Sequence, residues 1–382
     1  MKAKNLLNDL SKFDEIFIVV DNADRYNIFK KLFGKLHTNV IFLHTNVYSY
    51  FTAKKIDKLN RQQILLRKSY NSKKPTNLSI EEVKWNRRYD WTVDIKSISL
   101  KKSSKQAWIV WGGFQYSWQC LQSSLEIKNV YYFEIANFPG KLQWSNYGVN
   151  AYGRYADKVN EIKDNKNENV VSPIELKKII NTWHPPHANR RLIDQALEQL
   201  INNVFAGLFK SLAPKTTITN AIKTVYATIR SRRLITKLRD NNLPNKYDLF
   251  IGQVSEDSQT VFQSQETQVS AIKKAHLLAK NSKKQLVVRL HPAEKNISVL
   301  KEVQKFCVLN KIVISNFGSL GTAVEGADNI YTINSTGGAH ALLYGKNVTT
   351  FGEAFYSGWT PEDVCVYYSD LLIDQDFQFL GH

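Results

Sequence analysis

The residues of this sequence best suited to chemistry stand at the ends of apolar runs. Glu256 and Asp257 lie in "GQVSEDSQTVFQS", directly after "YDLFIG", with Gln253, Ser258 and Gln259 around them. A carboxylate among amides can be oriented and kept ionised, as a nucleophile or base requires; the same letters also make an ordinary capped loop. Arg289, His291 and Pro292 close the run "VVRLHPAE". Proline fixes the direction in which the chain leaves, and the imidazole can donate to a phosphate or carboxylate. Glu134 ends the aromatic run "YYFEIA". Partial burial there would raise its pKa and suit a general acid, whereas an exposed strand edge would leave it an ordinary surface charge. Finally, "NSTGGAHALLYGK" sets Asn334, Ser335, Thr336 and Gly337 between an apolar run and a helix-like segment. Hydroxyl donors, side-chain-free backbone and a helix start together suit an anion, a phosphate first of all; a plainly capped strand–loop–helix is the competing reading.

These positions need elements to hold them. "EIFIVV" (15–20), "NVIFLH" (39–44), "AWIVWGG" (107–113) and "NVYYFEIA" (129–136) are short apolar runs separated by helical stretches, with 53–105 read as basic, polar helix and loop. A second series begins after "LPNKYD": strands at 247–252, 285–292, 312–315, 329–334 and 348–352, with helices around 267–280, 297–309 and 338–345. Strands alternating with helices imply parallel sheets covered on both faces. Two such series predict an α/β protein of two Rossmann-like domains facing a cleft, residues 1–210 and 246–382, joined by a basic helical connector over 211–245. In open α/β sheets ligands gather at the carboxyl ends of the strands, which is where the candidate residues fall.

The chain has 382 residues and a formal net charge of +18. Such an excess attracts nucleic acid, anionic membrane or acidic substrates without choosing among them. Much of it lies in 215–239, where Lys223, Arg230, Arg232, Arg233, Lys237 and Arg239 flank an apolar stripe of Ile218, Ile222, Val225, Ile229 and Ile235. That pattern suits a helix lying on anionic headgroups, and equally one whose stripe faces a core. Nucleic-acid readers interleave basic and aromatic residues along a groove, and concentration of charge in one connector argues against nucleic acid as a partner. No apolar run has the length of a membrane span and the amino-terminal stretch lacks a signal-peptide core, so a cytoplasmic location is expected, with attachment to the inner face of the membrane as its extension. Cys120, Cys307 and Cys365 are scattered, with no CxxC, and His184 and His187 in "WHPPHANRR" have no carboxylate at metal-ligand spacing, so neither a disulfide framework nor a metal site is indicated. Absence of GxGxxG, Walker, HExxH and GxSxG patterns argues against dehydrogenase, P-loop ATPase, zincin and α/β-hydrolase chemistry.

Taken in order, "FE…NFPG…GVNAY", "GQVSEDSQTVFQS", "VVRLHPAE" and "INSTGGAHALLYGKNVTTFGEAFYSGWT" resemble the capsule polysaccharide biosynthesis family, the bacterial retaining β-Kdo glycosyltransferases. The last stretch is the most specific, and the likeness covers roughly residues 130–370. The resemblance implies the glycosyltransferase-B architecture, CMP-β-Kdo as donor with no cofactor or metal, and a saccharide or lipid-linked saccharide as acceptor. It further implies double displacement through a covalent Kdo–enzyme intermediate, with Asp257 as nucleophile and Glu134 as acid/base. His291 would face the donor phosphate, with Ser335 and Thr336 in the phosphate loop and Gln253, Arg289, Pro292, Asn334 and Gly337 beside it. Two carboxylates acting on opposite faces of a sugar do give retention, and basic and hydroxyl donors fit a sugar that carries its own carboxylate. The alternative is a non-catalytic glycan- or nucleic-acid-binding protein that keeps the fold.

Overall fold

The computed structural model describes residues 2–34, 36, 39–57, 61–69, 92–98, 105–136, 138–164, 170–182, 188–205, 207–212, 218–238, 243–316 and 318–376. The chain forms two compact units: Met1–Arg154, His184–Thr217 and Asp370–His382 make the first, Tyr155–Trp183 and Ile218–Ser369 the second. The expected α/β class, with two Rossmann-like units, is the one observed.

In the first unit β1 (Glu15–Val20), β2 (Asn39–His44), β3 (Gln62–Leu65), β6 (Gln106–Trp111) and β7 (Val130–Ile135) are parallel in the order β7-β6-β1-β2-β3. A two-stranded piece, β4 (Lys68–Ser69) with β5 (Thr92–Val93), lies apart from that sheet. Two antiparallel strands, β8 (Lys141–Ser145) and β14 (Ile373–Asp374), extend the β7 edge. Alternation along β1 explains how both faces are covered. Ile16, Ile18 and Val20 enter one core with Tyr26, Phe29 and Phe33, while Phe17 and Val19 enter the other with Trp108 and Trp118.

The second unit holds an all-parallel sheet of β9 (Tyr247–Ile251), β10 (Gln285–Arg289), β11 (Val313–Ile314), β12 (Ala327–Thr332) and β13 (Asn347–Thr350), in the order β11-β10-β9-β12-β13. Phe250, Leu286 and Val288 pack on one side against the helices Gln268–Asn281 and Ile297–Leu309. Leu249, Ile251 and Val287 pack on the other with Ala323 and Val324.

Several sequence expectations need correcting. β3 lies inside the 53–105 stretch read as helix and loop; its letters "QQIL" alternate too briefly to announce a strand, and pairing with β2 decides the matter. The units interleave along the chain, so boundaries drawn once, at 210 and 245, do not describe them: 155–183 joins the second unit, and 184–217 with 370–382 the first. Nor is the basic helix Ile218–Lys237 a free connector, since Ile235 is buried in the core of the second unit with Leu234 and Leu238 packed against it. His184 and His187 lie outside the described residues. All three cysteines are free and buried.

Candidate active site

At the carboxyl end of the second sheet, β9, β10 and β12 deliver their following loops side by side. Asp257 is the N-cap of the short helix Ser258–Phe262, its carboxylate accepting from the Gln259 N–H at 2.9 Å, and it is half-buried. Glu256, next in line, is exposed. Capping fixes the Asp257 side chain and still leaves acceptor capacity on it, since an ionised carboxylate has about four acceptor sites.

His291 follows β10. Its Nδ1 accepts from the Ala293 N–H at 3.1 Å, so the neutral ring carries its proton on Nε2 and presents a donor there. Burial holds the imidazole below its ordinary pKa, opposed by the carboxylates of Asp257 and Glu294. Arg289 ends the strand itself, and its guanidinium donates to the Gly318 carbonyl at 2.8 Å. Pro292 is exposed.

Glu294, not singled out by sequence reasoning, is the buried joint between these two loops. It accepts from the Ser255 N–H at 2.7 Å, the Ser255 hydroxyl at 3.2 Å and the Asn296 N–H at 2.7 Å. A buried carboxylate is destabilising unless it is hydrogen-bonded in this way. The signal was available in "HPAE", where an acidic residue follows a fixed turn.

Gln253 and Asn334 are struts. The Gln253 side chain accepts from the Asn334 N–H at 3.3 Å, while its own N–H donates to the Gln268 side chain at 3.0 Å. Asn334 Nδ2 donates to the Gln259 carbonyl at 2.8 Å and the Glu353 carbonyl at 3.2 Å. The side chains at both positions therefore bind the loops to each other.

Ser335 caps the helix Thr336–Leu342, accepting from the Gly337 N–H at 3.3 Å, and the Gly338 N–H donates to the Ser335 carbonyl at 2.8 Å. Gly337 and Gly338 have a packing reason. A Cβ on Gly337 would lie 3.1 Å from Ile251 Cγ2 and 3.2 Å from Leu320 Cδ2, and one on Gly338 would lie 2.7 Å from Tyr356 Cζ. Tyr356 in turn donates to the Ser335 carbonyl. Thr336 is buried. The aromatic run after Glu353 is core as well: Phe355 stands 5.0 Å from Tyr367 and 5.5 Å from Trp359 between ring centroids.

In the first unit Glu134 pairs with Gln143 across β7 and β8, and its Oε2 would lie 3.7 Å from a Cβ on Gly112, beside Phe114 and Gln115. Gln143 forms a buried two-way amide pair with Asn150, whose N–H reaches Gln143 Oε1 at 3.0 Å while Gln143 Nε2 donates to Asn150 Oδ1 at 2.8 Å. That pair shapes the "GVNAY" loop. Elsewhere at this edge the helix starts after β1 and β2 are filled by the helix Ala188–Phe205. Glu198 accepts from the Ala23 N–H at 3.2 Å and Asn46 Nδ2 at 2.8 Å, and Asn202 accepts from the N–H groups of Val47 and Tyr48 at 3.0 and 3.2 Å. Burial raises the Glu198 pKa. The starts of the helices Ala23–Phe33 and Val47–Ile56, places where a helix can hold a phosphate, are thus occupied by the protein's own side chains. Among the described residues no group of three or more His, Cys, Asp or Glu is placed to hold a metal ion, and no helix is long and apolar enough to cross a membrane.

Residues 176–361 match the family described as "Capsule polysaccharide biosynthesis protein". A curated relative, "Lipopolysaccharide-processing protein LpsZ" of Rhizobium meliloti, is 34% identical over 88 residues, which is 22% of this chain and 19% of that relative's length. Among solved structures, the β-Kdo 2,7 transferase of Thermosulfurimonas dismutans KpsC aligns with 92% of this chain and 88% of its own at 15% identity and a TM-score of 0.41. The β-Kdo 2,4 transferase of the same protein aligns over 90% and 82% at 14% identity and a TM-score of 0.38.

Proposed function

We propose that this protein, whose residues 176–361 match the capsule polysaccharide biosynthesis family, is a retaining glycosyltransferase that moves Kdo from CMP-β-Kdo to a saccharide or glycolipid acceptor. The observation that carries the reading is the arrival of Asp257 and His291 on the loops that follow two paired parallel strands of the second unit, β9 and β10, loops that Glu294 ties together through Ser255. Both lie in the motifs by which the sequence resembles the β-Kdo transferases, and both lie within the family match.

In this reading the second unit binds the donor. The CMP phosphate meets the Nε2–H of His291, the Arg289 guanidinium and the hydroxyls of Ser335 and Thr336, charge-assisted donors that stabilise the departing phosphate. Gln253, Asn334 and Gly337 hold the loops that carry those groups, and Pro292 sets the exit of the chain after His291. Asp257 attacks the anomeric carbon as the bond to the CMP oxygen breaks, giving a Kdo–Asp ester. An acceptor hydroxyl then attacks the same carbon, its proton passing to Glu134, and the carboxylate of Asp257 leaves. Inversion twice is retention once.

The test is incubation of the full chain with CMP-Kdo generated in situ, without acceptor. CMP release in a single burst and a mass increment of one Kdo on the intact chain are the expected results. Steady donor binding with neither would leave a binding protein in place of an enzyme.

A further inference from the structure

At the amino-terminal end of the second sheet, opposite the strand ends that carry Asp257 and His291, lies a hollow of about 460 Å³ lined by His276, Lys280, Lys283, Lys284, Asn310 and Lys311 among others. Gln285, which begins β10, and Ile312, which leads into β11, form its floor. The lysines arrive there because the helices Gln268–Asn281 and Ile297–Leu309 end side by side. Each chain then turns back into the sheet through a left-handed lysine, Lys283 at φ 55° and Lys311 at φ 54°. The negative end of a helix dipole accounts for a cation at each terminus. It does not account for several in one hollow, where like charges repel, nor for lysine at positions that glycine or asparagine fill with less strain. Lys284 is paired with Asp328. Lys280, Lys283 and Lys311 have no carboxylate partner among the described residues.

Large apolar side chains stand on the same two helix ends, exposed to water. Leu277 is one turn before Lys280 and 60% exposed; Val308 and Leu309, just before Lys311, are 70% and 72% exposed. Three lysines without carboxylate partners beside a fourth that has one, around a hollow edged by exposed aliphatic side chains, make a surface that is wet and cationic at its centre and apolar at its edge.

We propose that this end of the second unit docks on an anionic lipid bilayer, with Lys280, Lys283 and Lys311 taking headgroup phosphates and Leu277, Val308 and Leu309 entering the acyl boundary. A soluble phosphate would use the lysines and leave the aliphatic side chains unexplained. Nucleic acid would want rings to stack on, and exposed aliphatic side chains offer none. The surface is distinct from the 215–239 stripe considered from sequence, whose Ile235 faces the core. It is also independent of the transferase reading, since no residue of the candidate active site takes part.

The experiment is sedimentation of the full chain with phosphatidylcholine vesicles, with and without phosphatidylglycerol, at low and high salt. The wild type should bind only the anionic vesicles, and less at high salt. Combined Lys280→Gln, Lys283→Gln and Lys311→Gln should weaken that binding roughly a hundredfold, about fivefold per lysine near an anionic surface. Combined Val308→Ser and Leu309→Ser, at exposed positions that do not threaten folding, should also weaken it while leaving its salt dependence. Replacing Arg230, Arg232 and Arg233 with Gln should change it far less. Equal binding by the triple lysine variant, loss confined to the arginine variant, or binding of inorganic phosphate or RNA with no binding of vesicles would each overturn the proposal.

Discussion

Asp257 acts on the imidazole of His291 across the ends of two adjacent parallel strands, pulling its pKa up while burial pushes it down further. The outcome is a neutral ring with Nδ1 satisfied by the Ala293 N–H and a donor left on Nε2. Replacing His291 with Ala removes that donor. CMP binding or turnover should fall by about 1–3 kcal/mol, the scale for a hydrogen bond to a charged group. Isothermal titration with CMP and steady-state assay together check it; unchanged values in both would remove His291 from the donor site.

The same depressed pKa makes a pH prediction. A histidine whose folded pKa lies below its unfolded one binds its proton more readily when unfolded, so its contribution to stability is complete above pH 6.5 and is lost as pH falls through the folded value. His44 follows the same sign. Burial lowers it from 6.5 to about 4, and its nitrogens contact Ser49 Oγ at 2.9 Å and Gln63 Oε1 at 2.7 Å. Stability toward urea should therefore decline from pH 6.5 toward about 4, the first unit following His44. Urea titrations across that range, read by a fluorophore placed in each unit, would show it; a first unit no less stable at the acid end would refute the assignment.

Asp257 has two jobs that substitution can separate. As an N-cap it is matched by Asn and not by Ala, a loss of about 1 kcal/mol; as a nucleophile it is matched by neither. Asp257→Asn should keep the urea midpoint and Asp257→Ala lower it, while both abolish the Kdo adduct. Glu134→Gln should still form the adduct and turn it over slowly, and Glu256→Gln, at an exposed position, should behave as wild type. Peptide mapping of the trapped species identifies the residue that carries the sugar, and transfer activity in Asp257→Asn would end the double-displacement reading.

Glu294 bears on activity through geometry. Glu294→Ala would leave the Ser255 N–H without its acceptor beside Asp257, at a cost of about 1–3 kcal/mol. Turnover should fall more than donor affinity, because the loop that loses its anchor carries the nucleophile. Kinetics showing only a stability change, with kcat intact, would make Glu294 purely structural.

Gly338 and Tyr356 are tied by space. Gly338→Ala should destabilise the second unit by about 1–3 kcal/mol, the usual effect of overpacking, and by more than Gly337→Ala, whose new Cβ would meet Ile251 and Leu320 at 3.1 and 3.2 Å where that of Gly338 would meet the buried Tyr356 ring at 2.7 Å. Urea unfolding of the two variants ranks them; equal midpoints would show that the Tyr356 ring yields freely.

The alternation of short apolar runs with helical stretches determined both Rossmann-like units, because a strand buried on both faces must be apolar along its whole length and the period of a helix differs from it. That Asp257, His291 and Ser335 follow strand ends was legible for the same reason: strand ends can be read from a sequence, and polar residues there stand out. Which partners each polar residue bonds to was not legible. Asn334 and Gln253 read as ligand-binding, and their bonds to Gln259, Gln268 and Glu353 were not legible, because those partners are brought to them only by packing of separate strands and helices. The two glycines of "STGGAH" read as bare backbone for an anion, and the fold gave them Ile251, Leu320 and Tyr356 as neighbours. Interleaving of the units, capping of first-unit helices by Glu198 and Asn202, and convergence of Lys280, Lys283 and Lys311 were likewise decided in three dimensions. Each joins residues far apart in the chain, and no local period records such a pairing.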